Sequence, residues 1–172
     1  MCAPVSFALH RGERLCLTGV NGSGKSSLLR VISGDHRFYP GELIRASGLI
    51  LSWVPQNTEH LHGTLAEYAA NSGTDRTILQ NIAHELGVSR EDLSRDLASI
   101  SEGQKKKVVL ARSLCEPAHV YIWDGPFNYI GIYARIQIEQ MLADANAMML
   151  FVEHDDAFWD AVGPREIALC PV

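Results

Sequence analysis

"RLCLTGVNGSGKSSLLRVISG", Arg14 to Gly34, is the stretch on which the fold turns. "RLCLTG" alternates and stops on Gly19, and "SSLLRVIS" then sets Leu28, Leu29 and Ile32 on one helical face before Gly34 ends it. The segment reads as strand, glycine-rich turn and helix. The turn, "GVNGSGKS" from Gly19 to Ser26, fits G-x-x-x-x-G-K-[ST] in the context that motif requires. Its glycines let the main chain curl so that successive N–H groups point at phosphate oxygens. The helix N-terminus adds its positive dipole, Lys25 a mobile cation, and Ser26 a hydroxyl able to ligate magnesium. With glycine usage of about 7%, a chance match is expected in about 1% of chains this long, and the strand–turn–helix context lowers that further. The candidate nucleotide-binding set is Asn21, Gly22, Ser23, Gly24, Lys25, Ser26 and Ser27, the last lying one position beyond the motif on the helix.

Outward from this loop, 172 residues with 47% hydrophobic and 20% charged content suit one domain rather than two. Apolar runs such as "AMMLFV", 147–152, fall far below the roughly 18 residues of a membrane span, and no basic-then-apolar leader opens the chain. A soluble, cytoplasmic protein is expected. Cys2, Cys16, Cys115 and Cys170 are widely spaced and read as buried or incidental thiols. A formal net charge of -5 gives no global reason to bind nucleic acid, so any RNA contact would be local.

"GELIRAS" and "GLILSWVP" read as two short strands, the second ended by Pro55. From about 57 to 100 the texture becomes helical and polar, with "LAEYAA", "RTILQNIAHEL" and "REDLSRDLA" split by turn residues at Ser72-Gly73 and Gly87. "QKKKVVLARSL" then reads as helix, "HVYIWD" as buried strand, "YARIQIEQMLADA" as helix and "AMMLFVEH" as strand. Such alternation implies a parallel sheet with right-handed crossovers. The expected organisation is one domain, 1–172, with a core at 1–56 and 101–172 and an inserted helical subdomain at about 57–100.

Four further stretches fall in the order found in ABC-type ATPase domains, a family this sequence resembles along essentially its whole length. "VPQ" with Gln56 resembles the Q-loop, "ISEGQ" the LSGGQ signature, "VYIWD" the Walker B strand, and "VEHD" with His154 the switch histidine. More narrowly, "GQKKKV", "YIWD" with "NYI", and "FVEHD" resemble the second ATP-binding domain of ABC-F proteins. In particular they resemble the branch protecting ribosomes from lincosamide, pleuromutilin and streptogramin antibiotics. The resemblance implies an α/β P-loop NTPase (RecA-like) core, the helical subdomain and a small antiparallel edge sheet. It implies ATP and Mg2+ as cofactors, with Ser26, Gln56 and Asp124 around the metal. His154 would contact the γ-phosphate and Gln56 would sense the metal and the attacking water, and Ser101, Glu102, Gly103 and Gln104 would face ATP held by a partner domain paired head to tail. That partner would be a second ABC domain in the same polypeptide or a second copy. Ribosomal RNA would be reached through further parts of the protein.

Departures from the family pattern are as informative as the matches. Where the family has a glutamate that polarises the attacking water, this chain has Gly125; removing a positioned general base costs around 10²- to 10⁴-fold, while phosphate binding rests on other groups. Slow or absent turnover is therefore expected. The aspartate closing the family's D-loop corresponds to Gly131, and the signature's first glycine to Glu102, whose carboxylate would repel the partner's phosphates unless it turns away. The sequence also begins after the family's upstream strand with its adenine-stacking aromatic. It is therefore expected to be N-terminally truncated, with an unpaired sheet edge and with Phe7 in the core of the first strand rather than on a base.

The remaining candidates have plain readings. His60 and His62 lack a convincing third ligand and read as solvated. Lys105, Lys106 and Lys107 point in different directions on a helix and read as mostly solvated. Asp155-Asp156 reads as a helix cap, and Trp53 and Trp123 as core. Beside the ABC-F reading stand two alternatives: the motor subunit of a membrane transporter, which needs a membrane partner, and a non-hydrolysing ATP-responsive binding module.

Overall fold

A computed structural model describes residues 4–34, 41–144 and 147–170. Strands β1 (Arg14–Thr18), β2 (Leu51–Val54), β3 (Val120–Asp124), β4 (Met148–Val152) and β5 (Arg165–Ala168) form one sheet in the order β2-β3-β4-β1-β5. The β1–β4, β1–β5 and β3–β4 pairings are parallel. Leu15, Cys16 and Leu17 are all fully buried, so β1 is covered on both faces as parallel strands are, and the alternation in "RLCLTG" reflects only its polar ends. Leu15, Leu17, Val120, Ile122, Leu150 and Val152 pack around Leu29 of helix α1 (Lys25–Ser33). Phe7 packs partly buried against this cluster, but outside any strand, since 4–13 contain none.

Two expectations about strands are corrected. "GELIRAS" forms no strand: 41–48 are exposed save for half-buried Leu43, and Gly41 and Gly48 take positive φ, so no apolar face exists to pair. The small antiparallel edge sheet is accordingly not present among the described residues. Conversely, β5 was not anticipated. Its burial runs exposed, exposed, intermediate, exposed, a polar edge strand without the apolar run that marks the others.

The helices are α2 (Leu65–Ser72), α3 (Arg76–Glu85), α4 (Arg90–Ser94), α5 (Glu102–Cys115), α6 (Ile132–Asp144) and α7 (Asp156–Val162), with a 3₁₀ turn at Leu97–Ser99. Their starts follow capping chemistry. Thr64 and Glu67 form a reciprocal capping box on α2, Asp75, Ser89 and Ser101 cap α3, α4 and α5, and Asp155 caps α7 by accepting from the Phe158 N–H.

The described chain divides into two compact units. The first lies within Met1–Trp53, Ala118–Gly125 and Leu142–Val172; the second is Val54–Pro117 and Pro126–Met141. In the second unit α3 packs on α5, which lies wholly within it.

Within the first unit, Phe158 meets Phe151 edge to face, centroids 5.2 Å apart at 69°, and both rings are fully buried. Phe158→Ala is expected to destabilise the protein by about 3–5 kcal/mol, read as a lowered urea midpoint followed by near-ultraviolet circular dichroism.

Candidate functional site

At the end of β1 the chain reverses through Gly19, φ +134°, where an added Cβ would lie 2.4 Å from the Leu169 carbonyl oxygen. That approach is set by the strand pairing, since the Leu169 N–H donates to the Thr18 carbonyl at 2.8 Å. Gly22 and Gly24 also take positive φ, +82° and +95°, and Gly24 stands as N-cap of α1 without a side chain to occupy the helix's first amides. Those amides have no intrahelical partners. The Ser23 N–H closes the turn onto Val20 O at 3.1 Å, and the buried Lys25 ammonium donates to Gly19 O at 2.7 Å and Val20 O at 3.1 Å. Ser23 Oγ is buried with no partner among the described residues. Asn21 and Gly22 are exposed, Ser26 is half-buried and Ser27 exposed on the helix.

Two other strand ends lie at the same edge of the sheet. Cys16, Phe151 and Trp123 pair in one row across β1, β4 and β3, and Asp124 pairs with Val152 in the next. Asp124 is 1% exposed. Gly125 follows it with φ +52°, its N–H donating to Val152 O at 3.0 Å. Just past β4, Glu153 is buried and His154 exposed, the His154 N–H donating to Glu153 Oε1 at 2.9 Å. The Glu153 carbonyl accepts from Trp159 Nε1 at 3.2 Å and from the Cys16 thiol at 3.7 Å. Burial pushes the Cys16 thiol up to about 11, so it stays protonated beside this junction. The first unit therefore gathers the phosphate-loop candidates, Asp124, Gly125 and His154 at the carboxyl ends of adjacent parallel strands, where open α/β sheets bind ligands.

This donor set suits a nucleoside triphosphate with magnesium. Curled main-chain amides and one ammonium match phosphate oxygens, and a buried carboxylate with a serine hydroxyl matches a hard cation. Among the described residues no group of three or more His, Cys, Asp or Glu is placed to hold a metal by itself, and His60 and His62 are both exposed.

The second unit holds Gln56, exposed after β2, and Ser101–Gln104 at the start of α5. Ser101 accepts from the Gln104 N–H at 3.3 Å. Gly103 is required by a close approach, since a Cβ there would lie 2.6 Å from Tyr129 O, and Tyr129 itself takes φ +66°. Glu102 turns sideways: its carboxylate accepts from Thr58 Oγ1 at 2.5 Å and Lys105 Nζ at 2.9 Å, and these two bonds, Thr58's first, hold it below the usual carboxylate range. Gly131 is exposed with nothing within 4 Å of an added Cβ, and its carbonyl accepts from the Arg135 N–H at 3.2 Å as α6 begins.

The lysine cluster is a further correction, because it is not a solvated face. Lys106 is 1% exposed and donates to Pro55 O at 2.7 Å and Gln56 O at 3.4 Å; the Lys105 side chain is 13% exposed. Burial also lowers the Lys107 ammonium's proton affinity. The signal was present in the sequence: Lys106 falls at helical spacing before Val109, Leu110 and Ser113, on the buried face. Among the thiols, Cys16 is buried, Cys115 half-buried and Cys170 exposed, all free, while Cys2 lies outside the described residues.

Comparison with known proteins agrees with this geometry. Residues 2–128 match the family profile described as ABC transporter, and the chain belongs to that family of ATPase domains. It is 32% identical over 162 residues to the ATP-binding protein Uup of Caulobacter vibrioides, covering 94% of this chain and 26% of that protein. Against ABC transporter F family member 2 of Arabidopsis thaliana it is 25% identical, covering 94% of this chain and 25% of that protein. Against the zinc import ATP-binding protein ZnuC of Photobacterium profundum it is 29% identical, covering 88% and 62%. The chain thus spans about a quarter of the length of Uup and of the F family member. Among solved structures, the dimeric ATP-binding cassette MJ0796 bound to ADP and Pi has a TM-score of 0.77 at 20% identity, over 95% of this chain and 83% of that one, a likeness of fold.

Gly19→Ala is expected to abolish the loop's geometry: Mg-ATP binding by isothermal calorimetry should fall below detection while Arg76→Ala, at an exposed position of α3, stays within about threefold of the unaltered chain.

Proposed function

We propose that residues 1–172 are one ATP-binding domain, a core with a helical subdomain, of a cytoplasmic ABC-F-type protein. In that reading it is the second of two such domains in one polypeptide, working in ATP-dependent ribosome protection that confers antibiotic resistance. The observation that carries nucleotide binding is the meeting of the glycine loop, Asp124 and His154 at the ends of β1, β3 and β4. The ABC-F reading is supported by the F family relative and by "GQKKKV", "YIWD" and "FVEHD".

In this reading Asn21–Ser27 wrap the phosphates, and Ser26, Asp124 and Gln56 hold Mg2+, which neutralises phosphate charge when bound. His154 contacts the γ-phosphate. Ser101, Gly103 and Gln104 face ATP on a head-to-tail partner, while Glu102, tied to Thr58 and Lys105, is directed away from repelling it. No side chain at position 125 can take a proton from the attacking water. ATP then serves to close the pair, with turnover slow. A transporter-motor reading is supported by the likeness to ZnuC and differs in requiring a membrane partner. Among the described residues no helix is long and apolar enough to cross a membrane.

Magnitudes make Gly125→Glu a decisive test. A left-handed residue with a side chain costs about 1–2 kcal/mol, whereas a restored base returns about 10²- to 10⁴-fold in rate, or about 3–5 kcal/mol. The variant should therefore gain phosphate release over the unaltered chain at similar Mg-ATP affinity; brisk turnover without it would overturn the account of Gly125. For the cellular role, the intact gene product should co-sediment with ribosomes in Mg-ATP and not in ADP. ATP-dependent recovery with a membrane protein instead would establish the transporter reading.

A further inference from the structure

Pro55, Gln56 and Thr58 are each bonded to the first turn and a half of α5, and all of these residues lie in the second unit. The Lys106 ammonium reaches the carbonyls of residues 55 and 56. Thr58 Oγ1 reaches the Glu102 carboxylate, and the Thr58 carbonyl in turn accepts from the Leu61 N–H at 2.9 Å. Glu102 and Lys106 are four residues apart, so they project from one side of the helix, one above the other. A buried ammonium costs several kcal/mol unless its donors are satisfied, and an apolar residue would fill the same space without that cost. What the lysine adds is direction: it fixes two turn carbonyls that the strand β2, ended at Pro55, leaves without a ladder partner. The Gln56 main chain is thereby bracketed on both sides while its side chain stands exposed.

We propose that Lys106, acting with the Glu102–Thr58 bond, is a positioning residue that latches the Gln56 segment to the helix bearing Ser101–Gln104. The two nucleotide-facing elements of the second unit then move as one body. Glu102, a departure from the family's signature, gains a use in this arrangement as the lower point of the latch. The coupling rests on the reading of Gln56 as a sensor of magnesium and the attacking water; the latch itself does not.

The test compares the unaltered chain with Lys106→Met, Lys106→Arg and Thr58→Val. Amide hydrogen exchange without ligand should rise about tenfold or more at Gln56–Thr58 in Lys106→Met and less in Thr58→Val, with Lys106→Arg returning most of the protection. With a fluorescent ATP analogue, the Mg2+ concentration for half-maximal tightening should rise about tenfold in Lys106→Met, as for loss of an outer-sphere support, while Mg-free affinity, set by the loop, stays within about twofold. Unchanged exchange at Gln56–Thr58 in both Lys106→Met and Thr58→Val would overturn the latch, as would a uniform rise across α5 in both. Should Lys106→Met fail to fold, exchange in Thr58→Val decides. Local exchange as expected together with no Mg2+ effect in a chain that binds the analogue would overturn the coupling. A chain binding no analogue at all would instead overturn the nucleotide reading and leave the latch standing.

Discussion

Everything at the candidate site depends on how closely the main chain at Gly19 passes the Leu169 carbonyl. That contact leaves no room for a Cβ and requires a φ that side chains avoid. It exists because β5 pairs alongside β1 and delivers Leu169 N–H to the Thr18 carbonyl. The polar edge strand is thus a structural member of the phosphate loop, though it is distant in sequence. Lys25 completes the closure by drawing two loop carbonyls toward one ammonium, so the loop is organised by its own cation.

The three replacements that set this chain apart from its family pattern are physically unlike one another. At Gly131 the backbone is open and a side chain would meet nothing, so an acid could be accommodated where α6 begins. At position 102 the family's glycine is a glutamate whose carboxylate is engaged by Thr58 and Lys105 within the same unit. At Gly125 the conformation itself belongs to glycine. Counting these as three equal losses would misjudge the molecule.

Legibility in the sequence followed apolar content. The loop, Asp124 and His154 fall at strand ends that are legible in the sequence because β1, β3 and β4 are apolar runs with clear bounds. The helical stretch is legible through its helical, polar texture and the turn residues at Ser72-Gly73 and Gly87. β5 is illegible because a mostly exposed edge strand carries no hydrophobic signature, and "GELIRAS" resembles a strand only through its few apolar letters between glycines. Lys106 is a different case: three consecutive helical positions do point in different directions, but that same geometry turns one of them inward, in line with Val109, Leu110 and Ser113. Buried lysines are uncommon, and the carbonyls that receive this one, at residues 55 and 56, are far away in sequence.

Gly125 has a further implication for the history of the chain. Once the peptide beside the aspartate rests in the mirror-image well, any mutant that restores a carboxylate inherits a contorted backbone before it recovers useful chemistry. That strain, about 1–2 kcal/mol, falls on folding stability rather than on the chemistry, so a return to the acid stays open to any chain with that much stability to spare.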